Sequence, residues 1–437
     1  MMRFPLLLAA LLLALTPAAR ADDPAPPAAD GGSLTLARCV ALALERAPSL
    51  LASGEAERVA EAAADEARAH RLPTVNLGGN YTYITDVMEQ HIDLGPLGSN
   101  TLRFGDHHQA DVNLGLSVPL YTGGELRLAA DAAAAGAAAA GQRREAAALD
   151  IRRDARQAYF AVLGGQAQLD AASLAVHRLE RRLGAVRDAV HVGTASAEDS
   201  LRVLTRLQEA ETRRLQAQAE RDAAGIALGR LLGRPTEIVN VSGALDQSLL
   251  ADSSAAAVDS LPALQALARE TERQELLAKA ARARFLPRVS GDLRGHYGRP
   301  GIDPLANDWM SYGTASLALN WTLWDGGARA LQAQRAEAGA RQLDYQRRDA
   351  TEGLAALRAT ARSALRSAVK AVETAQQRVG LQRQLLDMVT GRRGHAQATE
   401  NEVLDAADDL SEAEIALALA RTRARQSEAT LLWTLGR

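Results

Sequence analysis

The sequence predicts a mainly α-helical chain made of two tandem copies of one design, each copy carrying a β-hairpin that belongs to a membrane β-barrel. Three observations lead there. Proline is absent from residues 120–234 and 305–437, two tracts rich in Ala, Leu, Arg, Glu and Gln. Proline breaks helix interiors, whereas these residues favour them. The pair Gly123-Gly124 and the pair Gly326-Gly327 stand 203 residues apart, as do Leu201 and Leu404. Within each copy the apolar period switches from about 3.6 to 2 and back, the mark of strands set between helices.

Residues 1–21 read as a secretory signal, with Arg3 at its start, an apolar stretch from Leu6 to Leu15 and the small-x-small site Ala19-Arg20-Ala21. That stretch is too short to span a bilayer. No cysteine directly follows the site, so no N-terminal lipid is expected. Residues 22–33, rich in Pro, Ala and Asp, form a flexible tail.

The first repeat covers 34–235. Leu34 to Arg71 is helical, with Pro48 as a kink or a join and Pro73 as a stop. Val75, Leu77, Gly79, Tyr81 and Tyr83 then alternate with Asn76, Gly78, Asn80 and Thr82. A loop of about two dozen residues leads to a second alternating run from Ala110 to Val118. From Gly124 to Val192 a helix of roughly 100 Å is expected at about 1.5 Å per residue. It turns near Val192 and returns as Ala197–Leu232. Residues 236–260 form a connector with room for a short strand at Ile238–Val241.

The second repeat, 261–437, follows the same order. A helix from Leu261 to Phe285 stops at Pro287. Strands run through Val289, Gly291, Leu293 and Tyr297, then through Ala315, Leu317, Leu319, Trp321 and Leu323. A second rod turns near Gly394 and returns as Glu400–Leu435. Coiled-coil seams mark both rods: Val176, Leu179, Leu183, Val186 and Val190 in the first, and Val372, Ala375, Val379, Gln382, Leu386 and Val389 in the second.

The net charge of −3 argues against a nucleic-acid partner, and a single cysteine rules out an internal disulfide. Beyond the signal no apolar run reaches the ~18 residues of a spanning helix. Eight aromatics, Tyr81, Tyr83, Tyr121, Tyr297, Trp309, Tyr312, Trp321 and Trp324, lie in or beside the four strands, as an interfacial girdle would place them. Four strands cannot close a barrel, and an open sheet edge in lipid is prohibitively costly. Three chains would supply twelve strands, so a homotrimer sharing one twelve-stranded barrel is expected.

No catalytic motif, phosphate loop or cofactor signature is present, so neither an enzyme nor a cofactor is expected. His91, His107 and His108 lie near Asp86, Glu89, Asp93 and Asp106, but their spacing fits no metal motif, and a solvated loop is the favoured reading.

At this point the residues resemble the TolC family of outer-membrane efflux proteins, over nearly all the mature length. The resemblance rests on Leu34-Thr-Leu-Ala-Arg-Cys-Val-Ala-Leu-Ala-Leu-Glu-Arg-Ala-Pro48, on Leu72-Pro73 and Leu286-Pro287, and on the aromatic-x-Gly-Gly after each second strand. It rests also on the Gly-x-x-Ser/Thr-x-x-acid-x-Leu turns. It implies a trimeric tunnel in the outer membrane of a Gram-negative bacterium, continued by an α-helical barrel across the periplasm. Such a duct is the exit of a tripartite efflux or type I secretion system, passively conducting substrate from an inner-membrane efflux pump or ABC transporter through a periplasmic adaptor (membrane fusion) protein. The connector and the C-terminal end would form an equatorial belt.

The resemblance places the helical turns at the periplasmic tip, where Val192, Gly193, Thr194, Ser196, Gln397 and Thr399 would meet the adaptor. Ala396 stands where the second copy of the motif has glycine. Asp199, Glu402 and Asp405 follow the turns, at positions that face the closed pore in the family. Threefold copies would make carboxylate rings that favour cations. Asp199 and Glu402 also suit the first turn of a helix, stabilised by its dipole. Arg393 and Ala398 do not match the family's latch residues. The competing reading is a soluble periplasmic coiled-coil spacer or adaptor, which explains the rods but not the paired strands between them.

Overall fold

A computed structural model describes residues 33–93, 99–248, 257–303, 308–395 and 397–437. The signal segment and nearly all of the tail expected before Leu34 lie outside the described residues. From there the chain opens with α1 (Leu36–Arg46) and α2 (Pro48–Ala69), which meet at Ala47 in an extended conformation. Pro48 is therefore a join, occupying the first turn of α2, where its missing N–H costs nothing.

The rods have equal lengths in the two repeats. Helices α3 (Glu125–His191) and α6 (Ala328–Gly394) each run 67 residues. Their return helices α4 (Ala197–Leu231) and α7 (Glu400–Thr434) each run 35. Each pair of rods is entered through a glycine pair in the left-handed region, Gly123-Gly124 (φ 63° and 86°) and Gly326-Gly327 (φ 69° and 88°). A β-carbon is disfavoured there. Helix α5 (Pro262–Ala283) is the 22-residue counterpart of α2.

Strands β1 (Thr74–Tyr83), β4 (His108–Tyr121), β5 (Arg288–Arg299) and β6 (Met310–Asn320) form one antiparallel sheet in the order β1-β4-β5-β6. Its register sets apolar residues in rows. Val75 pairs with Leu116, Leu116 with Leu293 and Leu293 with Ala315. One residue along, Asn76, Gly115, Arg294 and Thr314 form the opposite-facing row. The sheet thus has an apolar face and a polar face, since strand side chains alternate with period 2. The apolar face has no cover in the chain: Leu77, Leu114, Leu293 and Leu317 are all more than half exposed.

Two sequence expectations change here. The stretch read as a loop carries a second, two-stranded ribbon, β2 (Met88–Asp93) with β3 (Ser99–Phe104). Its paired rows mix Met88 and Phe104 with Gln90 and Leu102. Met88 stands exposed, so neither face has to be uniformly apolar and the period-2 signal is weak. The last strand also ends earlier than expected. Arg288 pairs with Asn320 at the start of β5, so Trp321–Trp324 run past the partner strand. Trp321 Nε1 instead donates to the Phe285 carbonyl at 3.0 Å.

Among the described residues three apolar clusters hold the helices, the smallest being Ala361 of α6 with Leu431 and Leu435 at the end of α7. The first gathers Cys39 and Leu42 of α1, Tyr159 and Phe160 near the midpoint of α3, Leu228 of α4 and Val239 of the connector. The Tyr159 hydroxyl donates to the Ser242 carbonyl at 2.6 Å. The connector makes one parallel bridge, Leu34 to Val241, rather than a strand. The second cluster is the expected α3 seam, Val176, Leu179, Leu183 and Val186, closed by Val203, Leu207 and Leu404. The α6 seam is less covered in the single chain, half-buried from Val372 to Leu386 and buried only at Val389.

Candidate functional site

The functional end of the molecule is where the two helical hairpins turn, and local chemistry fixes each turn. Helix α3 ends through Gly193, whose φ of 80° lets the chain reverse. The Thr194 N–H then donates back to the Ala189 carbonyl at 2.8 Å. Ser196 opens α4 with a capping box: its hydroxyl accepts from the Asp199 N–H at 3.1 Å, and the Asp199 carboxylate accepts from the Ser196 N–H at 3.3 Å. In the second hairpin the Gln397 N–H donates to the Arg392 carbonyl at 2.9 Å. This is the Thr194 bond repeated 203 residues on, so the reversal survives although no glycine in the left-handed region is present. Ala396 lies outside the described residues. Thr399 and Glu402 form the second capping box, with bonds of 3.3 and 2.9 Å.

The proposed docking residues Val192, Gly193, Thr194, Ser196, Gln397 and Thr399 are all exposed in the single chain. The three pore candidates have different surroundings. Asp199 is engaged in its capping box and lies 4.0 Å from Arg393 Nη2. Glu402 is exposed and committed to its own box. Asp405 reaches across to Arg206 of α4 at 3.4 Å.

The strongest polar contacts at this end involve residues that sequence reasoning passed over. Glu400, the first residue of α7, has a side chain only 2 % exposed. Arg182 of α3 grips it with two bonds, Nε at 2.6 Å and Nη2, and Arg393 of α6 adds a third at 3.4 Å. Further along α7, Glu414 takes Arg178 of α3 at 2.9 Å and Arg383 of α6 at 3.5 Å. The only sequence signal was the spacing Arg178/Arg182, one helical turn apart on α3. Asp408 sits between Arg206 at 3.3 Å and Arg213 at 3.9 Å. Burial pushes its carboxyl above the usual carboxylate range, against the pull of both arginines. The Arg206 guanidinium is raised, first by its bond to Glu209 and then by the carboxylates beside it.

Carboxylates are concentrated in the first half of α7, and arginines of α3, α4 and α6 surround them. Such an end can hold the two hairpins together by charge, and can release them when the charges are displaced. In the first strand connection, His107 Nδ1 lies 2.8 Å from the Ile84 carbonyl and His108 Nδ1 lies 2.7 Å from the Tyr81 hydroxyl.

Paired hairpins some 100 Å long, rising into a sheet with one apolar and one polar face, define the class of membrane export ducts. The chain belongs to the outer membrane efflux protein family, whose model matches residues 39–234 and 255–437. It is accordingly an outer-membrane exit duct for efflux, extending into the periplasm of a Gram-negative bacterium. Solved structures share the fold. CusC superposes with a TM-score of 0.80 at 17 % identity, covering 92 % of both chains. A membrane protein from Pseudomonas aeruginosa gives 0.79 at 21 %, covering 95 % of this chain and 98 % of that one. The open-state outer membrane channel MtrE of Neisseria gonorrhoeae gives 0.77 at 21 %, covering 92 % and 88 %. No curated protein sequence matches the chain.

Proposed function

We propose that three copies close one continuous duct, apolar sheet faces outward in lipid and polar faces lining the lumen, and that the hairpin turns dock a periplasmic adaptor fed by an inner-membrane pump. The observation that supports this most is the sheet. Its apolar face is bare, and β1 and β6 each have one free edge in the single chain. A free edge in hydrocarbon leaves backbone groups unsatisfied, and pairing between copies removes it. The duct conducts passively, and the pump chooses the cargo.

At the tip, Asp199, Glu402 and Asp405 act as gate carboxylates, repeated around the axis where the duct narrows. Val192, Gly193, Thr194, Ser196, Gln397 and Thr399 form the adaptor's footing. Extraction of outer membranes tests the assembly: a heat-resistant trimer released only by detergent is expected, and a protein released by osmotic shock would sink the duct. Photo-crosslinking in cells from Thr194 and Gln397 tests the tip. Capture of a periplasmic adaptor is expected in an exporting strain, and empty positions would remove the tip from the docking surface.

A further inference from the structure

The joint between helices and sheet holds a cavity of about 680 Å³, bordered by the ends of α3, α5 and α6. On its strand side lie Arg288, Ser290, Ala318 and Asn320. These residues alternate in step with Arg294 and Thr314 along β5 and β6. The cavity therefore opens on the polar face of the sheet, the face that lines the lumen in the duct proposed above.

Three guanidiniums converge there. Arg284, at the end of α5, donates from Nε to Glu125 Oε1 at 2.8 Å, and Arg288 Nη2 donates to the other oxygen. The Glu125 side chain is 13 % exposed, whereas those of Arg284 and Arg288 are 48 % and 54 % exposed. Arg329 donates to Asp325 at 2.7 Å and to the Arg284 carbonyl at 3.2 Å. Asp325 also accepts from the N–H groups of Gly327 and Arg329, so it is committed to the start of α6. Three guanidiniums against two carboxylates leave one positive charge in excess. The positive end of the α3 dipole adds to it, since Gly124 caps that helix without a side-chain bond among the described residues.

The internal repeat shows that the fold does not require these charges. Residues before the first strand of a repeat recur 214 positions later, as Leu72-Pro73 does at Leu286-Pro287. Those after the second strand recur 203 later, as Gly124 does at Gly327. Arg284 then answers to His70, Arg288 to Thr74, Glu125 to Ala328 and Arg329 to Leu126. The chain passes from α2 into β1, and from β6 into α6, with none of the three arginines in place. Something other than the turn from helix to strand accounts for them.

We propose that this cavity is an oxyanion site in the lumen, where Arg284 and Arg288 bind carboxylate, phosphate or sulfate groups of solutes entering the barrel. The proposal rests on the duct reading and deepens it by naming a class of solute that the duct holds. A guanidinium carries five N–H donors in a planar fork that matches two oxygens of an oxyanion. Arg288 gives one of its donors to Glu125, and Arg284 gives one to Glu125 and one to Gln332 at 3.3 Å. Donors remain on both forks, and both side chains are open to solvent on the cavity side. Glu125 has two opposed effects. It holds the forks in place, and it occupies donors that a ligand would use.

The test uses inorganic pyrophosphate as the probe on the full chain purified in detergent. Equilibrium dialysis measures its binding, and planar bilayers measure its block of single-channel current. The parent protein should show both at low salt, and both should weaken as ionic strength rises. Arg288→Gln should weaken binding and block together by about tenfold, the loss of one hydrogen bond between charged groups. Glu125→Gln should tighten both, because it removes the opposing charge while its amide oxygen still accepts from one fork. Equal binding by the parent and Arg288→Gln would overturn the site. So would Glu125→Gln weakening binding as much as Arg288→Gln does, since the arginines would then only brace the joint. Binding with the expected order but no block in channels that conduct would overturn the lumen placement, and the duct reading of the polar face with it, while the oxyanion cradle stood.

Discussion

Arg182, deep in the first hairpin, and Glu400, at the start of the last helix, meet as a two-bond ion pair whose carboxylate is sealed from water. The residues are 218 positions apart in the chain. Their contact ties α3 to α7 at the tip. Removing one partner of a buried pair leaves an uncompensated charge, at a cost of about 3–5 kcal/mol. Glu400→Ala should fall at the low end of that range, because Arg182 keeps some solvent contact. Hydrogen exchange should show loss of protection over the first turns of α7. Equal protection in the variant and the parent would mean that the pair contributes little.

The two capping boxes should be worth less and be independent of one another. Ser196→Ala and Thr399→Ala each remove a side-chain acceptor for a first-turn N–H, at about 1 kcal/mol. Denaturant midpoints of the single and double variants should add, and a non-additive double variant would reveal coupling between the tips.

Asp408 supplies a pH signature. Its folded-state pKa is raised by burial, so the ionised form penalises the fold. That penalty is fully present above the folded pKa and disappears as pH falls toward the ordinary value of about 3.9. Asp408→Asn removes the titration. Its stability relative to the parent should therefore rise with pH between pH 4 and pH 7. A difference that falls with pH would mean that the attraction of Arg206 and Arg213 outweighs burial.

Gly164 is a steric prediction. A β-carbon there would lie 2.2 Å from Thr422 Oγ1, too close without movement, and overpacking of this kind costs about 1–3 kcal/mol. Gly164→Ala should lower the denaturation midpoint, and adding Thr422→Ala should restore most of the loss. Failure of the second change to rescue would place the strain elsewhere.

For the gate, replacing Glu402 and Asp405 together by Ala should weaken cation selectivity in planar bilayers. Unchanged selectivity would take both residues out of the lumen. Burial pushes the Cys39 thiol up to about 11, so it should resist thiol reagents until the protein is denatured. Rapid labelling of the native chain would contradict its burial between α1 and α3.

Much of this architecture was legible in local pattern. The proline gaps, the glycine pairs and the recurrence at 203 residues located both rods and their turns, and alternation located the four sheet strands. These signals were readable because a helix face and a strand face each impose a short period on neighbouring residues. The ribbon at Met88–Phe104 escaped because no core enforces its period. Trp321 and Leu323 were overassigned to β6 because the strand's end depends on where its partner β5 begins. At the tip the acidic residues drew notice as candidates for a pore, whereas Glu400 looked like one more first-turn acid.

What the sequence determined by itself is therefore the repeat, its helices and hairpins, the two faces of the sheet, and with them the family. Which carboxylate is buried, which arginine meets it across more than two hundred residues, and how the two halves register through β4 and β5 were decided only by the tertiary structure. The reason is physical: a period is written within a few residues of the chain, whereas a charge pair between two rods depends on their relative rotation and axial offset. Packing of the α3 seam against Val203, Leu207 and Leu404 sets both.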